Sequence, residues 1–321
     1  MSKDRKLMPI WLVAIIDILI IAAYVGGFYG LYYKVPRQLD NAVLEVPEDS
    51  GTIATADTTD YTTDPGEKFA KYFTDEVVST DTSYSGENIS ITVEKYTTGS
   101  GGHKVTYYVA DIYINDITCL QSGFADNTYG IGYTETVLSM DQELNALLAI
   151  NGDYYGNGNN GVVIRNGAVY RDTSNGMDVC VLYSDGSMST YSPEEFDADK
   201  VVADGAWQAW CFGPELIDEA GSSMTSFNTD KHIARINPRS AIGYYEPGHY
   251  CFVVVDGRQS GYSDGMTLNE LSQLFEDLGC SAAYNLDGGK SSSMTFQDAE
   301  VNHPCDGGRE VSDCIMIKEV E

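Results

Sequence analysis

Between Ile10 and Tyr33 the chain runs for 24 residues with a single charge, Asp17. As a helix, rising about 1.5 Å per residue, this stretch reaches roughly 36 Å, enough to cross a hydrocarbon core of about 30 Å with some tilt. It splits the chain in two, because any water-soluble domain has to be built from the residues on its C-terminal side. Lys3, Arg5 and Lys6 precede it and Lys34 and Arg37 come after it. The slight excess on the N-terminal side favours an inside N-terminus, with the C-terminal domain extracytoplasmic. Tyr24, Tyr29, Tyr32 and Tyr33 stand where an interfacial aromatic belt belongs. The stretch is long for a signal peptide, and no small-x-small cleavage site comes after it. The expectation is therefore an uncleaved single-pass anchor in the cell membrane.

Charge divides along the same line. Residues 1–33 carry 3 basic and 2 acidic groups, residues 34–87 carry 4 and 12, and residues 88–321 carry 12 and 34. The net charges are +1, −8 and −22, totalling −29. Clustered Lys and Arg are needed to neutralise phosphates along a nucleic acid, so no nucleic-acid partner is expected. Hydrophobic residues make up 43%, which excludes a disordered acidic chain. Residues 34–66 are rich in Thr, Asp and Ala. The sequence is divided into a stub and anchor (1–33), an acidic linker (34–87) and one globular domain (88–321).

Within the domain the periodicity is mostly that of strands. Ile89, Ile91 and Val93 alternate with polar residues, as do the residues from Val105 to Ile114. Asn166-Gly167 and Asp185-Gly186 each punctuate a pair of short apolar runs as hairpin turns do. Thr134 to Leu148 reads as a helix running into the apolar stretch ending at Ile150, and Cys251 to Val255 reads as a buried strand. Thr267 to Leu278 has a capping box, Thr267-x-x-Glu270, and an apolar stripe of Leu268, Leu271, Leu274, Phe275 and Leu278. Gly279 then stands where a left-handed residue ends a helix. The fold class expected is α+β, a mixed β-sheet core with flanking helices.

Three polar clusters come directly after apolar strands: Asn151-Gly152-Asp153-Tyr154-Tyr155-Gly156, Asp256-Gly257-Arg258, and Asn285 to Ser293, which contains Asp287, Gly288, Gly289, Lys290, Ser291 and Ser292. Strand ends are where side chains converge on a ligand while the sheet holds them rigid. Glycine lets backbone approach closely, and the N–H groups and Ser hydroxyls after Asp287 have the makings of an anion nest. Arg165, Arg239 and Arg258 are the candidate forks for a phosphate. Asn-Gly and Asp-Gly are also ordinary turn formers, so each cluster alone is weak. The run from Asn151 to Gly161 lacks the alternating carboxylates and terminal Glu of a calcium loop. Gly288-Gly289-Lys290-Ser291 lacks the spacing of a Walker loop. The seven cysteines form no CxxC pair, which argues against structural zinc. Cys305 and Cys314, flanking a Gly-rich turn, are the favoured disulfide pair. His103, His232, His249 and His303 have no triad or ligand spacing, though His232 is near Arg239 in sequence.

Taken together the clusters carry a resemblance. AINGDYYG at 149–156, VIRNG at 163–167, NPRSAIG at 237–243, VVDGR at 254–258, GMTLNELSQLFEDLGC at 265–280 and NLDGGKSSSM at 285–294 occur in the order and spacing of the phosphodiester glycosidase family, with Asn302 to Ile317 as a weaker tail. Bacterial members are often exopolysaccharide-associated. The sequence departs from the family where Asp153 and Lys290 replace frequent glycines.

The resemblance implies hydrolysis of the sugar C1–O bond of a glycosyl phosphodiester of the cell envelope or an exopolysaccharide, without cofactor or metal. An oxocarbenium-like transition state wants a nearby carboxylate. The departing phosphate is acidic, so a cationic subsite replaces much of the leaving-group protonation. The catalytic candidates are Asp287, with Asp153 and Asp256 as rivals or partners. The substrate-binding candidates are Asn151, Gly152, Arg165, Arg239, Arg258, Asn285, Gly288, Gly289, Ser291 and Ser292. Tyr154, Tyr155, Tyr244 and Tyr245 are positioned to stack on sugar or to pack in sheets. The alternatives are a non-catalytic carbohydrate-binding or envelope-assembly module, and a metal-dependent hydrolase using Asp153, Asp256 and Asp287 as oxygen ligands. A phosphodiester site in a domain of net −22 requires Arg165, Arg239, Arg258 and Lys290 to be concentrated at the pocket.

Overall fold

The structure is a computed structural model that describes residues 9–30, 36–38, 64–100 and 103–320. The helix Ile10–Tyr29 spans 20 residues, apolar throughout except for Asp17. Its stretch Trp11–Tyr29, of mean hydropathy 2.2, is long and apolar enough to cross a membrane. Lys3, Arg5, Lys6, Tyr32, Tyr33, Lys34 and the linker from 39 to 63 lie outside the described residues.

The ordered sheet starts ahead of residue 88. Asp64 caps a short helix, Pro65–Lys68, by accepting from the Gly66 N–H. Phe69 is buried edge-on against Tyr113, and Tyr72 stacks on the same ring at 3.8 Å. Strands Val78–Thr80 and Ser83–Ser85 extend the largest sheet. The segment expected as linker therefore gives way to packed structure at about residue 64.

Three sheets share one core. The seven-stranded sheet runs, edge to edge, Ala282–Asn285, Arg239–Glu246, His249–Val255, His103–Ile114, Ile89–Ser100, Ser83–Ser85 and Val78–Thr80. A five-stranded sheet runs Ala299–Glu300, Met294–Phe296, Leu148–Asn151, Asp313–Ile317 and Leu120–Phe124. Another runs Ala168–Arg171, Val163–Arg165, Ala206–Trp210, Val179–Tyr183 and Met188–Tyr191. Ile91, Ile112 and Phe252 from the first, Leu148, Ile150 and Ile315 from the second, and Leu182 and Trp210 from the third meet in one apolar cluster. Helices cover the far faces. Leu268, Leu271 and Phe275 pack on Val253, Val255 and Ala283, while Val137 and Met140 pack on Ala149 and Met316. The run Cys251 to Val255 is continuously apolar because both faces of its strand are covered.

Sheets and helices combine as expected for an α+β domain. Every described strand pairing is antiparallel, so the mixture lies in the layers and not in strand direction. Both hairpins turn where the Asn-Gly and Asp-Gly pairs predict, with Asn166 and Gly167 at φ of 54° and 77°. The helix Leu268–Leu278 has its full capping box, and Gly279 ends it at φ 81°. The helix expected over 134–148 is shorter, Val137–Leu144, ended by Asn145 in the left-handed region so that Leu148–Asn151 can enter the sheet.

Candidate active site

Two of the three clusters meet where the seven-stranded sheet abuts the sheet containing Leu148–Asn151. Asn151, at the end of its strand, is fully buried. Its Nδ2 donates to the backbone oxygens of Asp287 (2.7 Å) and Gly152 (3.1 Å), and its Oδ1 accepts from the Ser240 hydroxyl at 2.7 Å. One carboxamide thus pins the loops after two strands together. Asn285 is equally buried, donating to Gly213 O at 2.8 Å. The Asn151 carboxamide is used on protein groups at both its nitrogen and its oxygen, whereas the buried Asn285 Oδ1 has no hydrogen-bond partner among the described residues. Gly152 is required because a Cβ there would lie 2.4 Å from Asp313 Oδ1.

Asp287 is held by two donors on one oxygen. Arg309 Nη2 and the Ser291 hydroxyl each donate to Oδ2 at 2.5 Å, and Arg309 Nε donates to Ser291 Oγ at 2.6 Å. Burial pushes the Asp287 carboxyl above the usual carboxylate range, opposed by the Arg309 charge, Ser291 and the Gly288 N–H. The Arg309 guanidinium also lies over the Tyr154 ring, 5.2 Å from its centre.

Asp153 belongs to a buried ion cluster. Its Oδ1 accepts from Arg165 Nη2 (2.9 Å) and the Tyr155 N–H (3.1 Å), and its Oδ2 from the Cys211 N–H (2.9 Å). Arg165, 1% exposed, also donates to Asp313 Oδ2 through Nε (3.0 Å) and Nη2 (2.8 Å), and to the Ala209 and Ile164 carbonyls. Asp313 is fully buried. Burial first, then the Asp153 charge, pushes its carboxyl up to about 7, with Arg165 opposing. Arg165 is thus the counter-ion of two buried carboxylates and has no free fork for a phosphate.

The second cluster braces the third from behind. Asp256 is 1% exposed, accepting from Asn302 Nδ2 (2.9 Å), the His303 N–H (3.0 Å) and the Tyr262 hydroxyl (2.8 Å). Asn302 in turn donates to Ser292 O. Arg258 donates to Asn237 Oδ1, and its guanidinium lies against Gly289. Arg239 is 2% exposed and clasps the carbonyls of Met266, Ile233 and Arg235. Burial, reinforced by Arg258, pulls its guanidinium down to about 10. Lys290 pairs with exposed Asp306. His232 contributes a carbonyl, which accepts from Asn237.

The expected anion nest is closed. Gly288 packs against Pro238 O, the Gly289 N–H donates to that same oxygen, and the Ser291 and Ser292 N–H groups turn back to Gly288 and Gly289.

What remains open is a pair of contiguous cavities. One, of roughly 190 Å³, is lined by Asp153, Tyr154, Asp287, Arg309 and Ser312 among others. The other, of roughly 240 Å³, is lined by Asp153, Tyr154, Asn157, Asn160, Asn175, Arg171 and Phe212 among others. Asp153, Tyr154 and Asn157 belong to both. The four cations expected at the pocket are therefore elsewhere, and Arg309 supplies the charge beside Asp287. Tyr154 is 43% exposed at the mouth, whereas Tyr155 stacks on Tyr129 and Tyr245 on His249, as sheet packing residues. Among the described residues no group of three or more His, Cys, Asp or Glu is disposed to hold a metal ion. All seven cysteines are free and buried. The favoured pair, Cys305 and Cys314, is not bonded, because Cys314 faces the helix side of its strand among Val137, Met140 and Ala149.

Arg309, Asp313 and Ser312 were not legible as site residues in the sequence. They stand just before or at the start of the last strand, and only its pairing with Leu148–Asn151 brings Arg309 and Ser312 to the cavity and Asp313 to the Arg165 ion cluster behind it.

Comparison with known proteins agrees with this architecture. The phosphodiester glycosidase family model matches residues 144–318, more than half of the chain. The SPbeta prophage-derived uncharacterized protein YomE of Bacillus subtilis (strain 168) is 34% identical over 196 residues, 59% of this chain and 30% of that protein. This chain thus spans under a third of that relative's length. The zebrafish N-acetylglucosamine-1-phosphodiester alpha-N-acetylglucosaminidase catalytic domain, solved auto-inhibited by its pro-peptide, superposes with a TM-score of 0.58 at 18% identity, over 72% of this chain and 84% of that one. A hypothetical protein from Synechocystis superposes with a TM-score of 0.54 at 16% identity, over 72% and 62%. The match over 144–318 contains the whole lining of the larger cavity, that of the smaller one except Gly132 and Thr134, and every residue that holds Asp287, and on it the chain belongs to the phosphodiester glycosidase family.

Proposed function

We propose that this chain is a membrane-anchored, extracytoplasmic hydrolase that cleaves the sugar C1–O bond of a glycosyl phosphodiester in the cell envelope or an exopolysaccharide. The observation that carries the reading is Asp287 and Arg309 in contact on one cavity wall, with Asp153 on the same cavity. As C1–O breaks, positive charge develops at C1 and negative charge on the departing phosphate. Asp287 meets the first, as base toward water or as nucleophile, and Arg309 meets the second with a planar fork. The phosphate is a good leaving group once neutralised, so no separate strong acid is required. The helix Ile10–Tyr29 supports an anchor, and the name of the zebrafish relative supports a sugar-1-phosphodiester substrate.

The test is release of reducing sugar from a sugar-1-phosphodiester by the detergent-solubilised full chain, with Asp287→Asn as the control. The expected result is turnover by the native chain and loss of at least about 10³-fold in the variant, with unchanged circular dichroism. Polysaccharide binding without turnover overturns the hydrolase reading in favour of a binding module. The anomer of the first-formed sugar tells base from nucleophile.

A further inference from the structure

We propose that the two contiguous cavities divide the substrate between them: the Arg309 cavity takes the phosphate and the Asn160–Phe212 cavity takes the sugar ring. This rests on the hydrolase reading and adds a direction to it.

The cavities differ in chemistry where it matters. Arg309, its side chain 39% exposed, is the cation in the lining of the smaller one, where it faces the carboxylates of Asp153, Asp287 and Glu310. The larger one also has a cation, Arg171, but it is spent on the protein. Its guanidinium donates to the carbonyls of Gly161, Gly158 and Tyr155, closing the loop 155–161 on itself. A guanidinium so occupied shapes a wall and leaves little for a phosphate. Asn175 is used likewise, donating to Cys211 O and accepting from the Met177 N–H. Asn160 remains as an exposed carboxamide on that loop, and Asn157, also exposed, stands where the two cavities join. Neutral amides paired with an apolar ring, here Phe212, match a ligand that is hydroxylated on its edge and apolar on its face.

The shared wall fixes the join. Asp153 and Tyr154 face both cavities, so a ligand spanning them crosses between its two halves at the buried Asp153 carboxylate. A sugar phosphate seated this way puts C1 beside the carboxylates and the ester oxygen on the Arg309 side. The reverse seating would place a phosphate among carboxamides and leave Arg309 against hydroxyls.

Crystals of the full chain soaked with N-acetylglucosamine 1-phosphate test the seating directly. The expected density has phosphate on Arg309 and the ring against Phe212; a reversed ligand, a ligand outside both cavities, or no binding overturns the assignment. In solution, Asn160→Ala and Phe212→Leu should each weaken binding of N-acetylglucosamine about 5- to 10-fold and leave inhibition by inorganic phosphate unchanged, while Arg309→Gln should do the opposite. Equal losses for both probes in all three variants, or no loss in any, would also overturn it. A ligand seated as described on a chain without turnover would refute the hydrolase reading and keep the seating. Turnover unaffected by Asn160→Ala and Phe212→Leu in KM would refute the seating and keep the hydrolase.

Discussion

Arg309 and Asp287 are joined twice, by a direct N–H to Oδ2 bond of 2.5 Å and through Ser291, which accepts from Arg309 and donates to the same oxygen. A carboxylate bound this way is fixed in position. The Ser291 side chain sets its rotamer, and Arg309 offsets part of the desolvation that raises its proton affinity. The same arginine reaches the open side of the cavity. It is the link between the buried carboxylate and any anion that enters.

Replacing Arg309 separates these two tasks. Arg309→Ala should lower kcat/KM by about 10²–10³-fold, the usual loss when a charge-stabilising donor is removed. Arg309→Lys keeps the charge but cannot donate to Ser291 and Asp287 in the planar geometry of the fork, so it should recover only part of the rate. Steady-state kinetics on both variants check this, and full activity in Arg309→Ala would remove the residue from the site.

Arg165 is predicted to matter for stability first. It is the counter-ion of Asp153 and Asp313, both buried. Arg165→Met should cost about 3–5 kcal/mol, because it leaves two uncompensated buried carboxylates. Adding Asp313→Asn to that variant should recover part of the loss, since it removes one of the two charges. Urea denaturation of the single and double variants measures both effects, and an unchanged midpoint in Arg165→Met would contradict the cluster as described.

These two arginines mark what the sequence could and could not convey. Thr267, Glu270 and Gly279 announce a helix because capping is local, decided within a few residues. Asn166-Gly167 announces a hairpin for the same reason. Asp153 and Asp287 were legible as candidates because strand ends gather polar groups, and both do reach the cavity. Arg165 was legible as a cation but not as one already neutralised, since Asp313 lies 148 residues away in sequence. Asp256 carries the same kind of signal as Asp287, yet it lines neither cavity and is enclosed behind the loop, bonded to Asn302, His303 and Tyr262. The difference lies in tertiary placement, which the local signal does not contain.

Stability should also depend on pH through Asp141. The side chain is fully buried, and burial followed by the Asp298 charge pushes its carboxyl up to about 7. A raised carboxyl favours the folded state while protonated, and that contribution fades as pH rises through the folded value. The melting temperature should therefore fall from about pH 4 to about pH 7 and level off above that, a trend to which Asp313, also up to about 7, contributes in the same direction. Asp141→Asn should make the fall shallower. Thermal unfolding across that range decides it, with identical slopes counting against the residue.

Among the cysteines, the geometry favours a different pair from the one that sequence spacing suggests. Cys251 Sγ and Cys280 Sγ lie 3.7 Å apart, joining a central strand to the end of the helix Leu268–Leu278. Gly243 makes room for them, since a Cβ there would lie 2.7 and 2.9 Å from the two sulfurs. Burial holds the Cys251 thiol well above its ordinary proton affinity, so attack by its thiolate is slow in the folded protein. Chain refolded in oxidised glutathione, which accepts the two electrons and two protons, should carry a 251–280 disulfide. Peptide mapping should find no 305–314 bond, and finding one instead would reverse the assignment.

The apolar helix Ile10–Tyr29 makes the last prediction. Over Trp11–Tyr29 the helix has a mean hydropathy of 2.2, and Trp11, Ile18 and Leu19 are each more than 60% exposed. A helix of this kind left in water would present apolar surface on every side, whereas lipid satisfies it at no cost to its internal hydrogen bonds. The full chain should therefore sediment with membranes through alkaline carbonate and release only in detergent. An enzyme reporter fused after Glu321 should be active only outside the cytoplasm, since the basic residues at the N-terminal end favour keeping that end inside. Carbonate extraction of the full chain would rule out the span, and reporter activity inside the cell would reverse the orientation. Reporter activity inside the cell would also count against the proposed extracytoplasmic substrate.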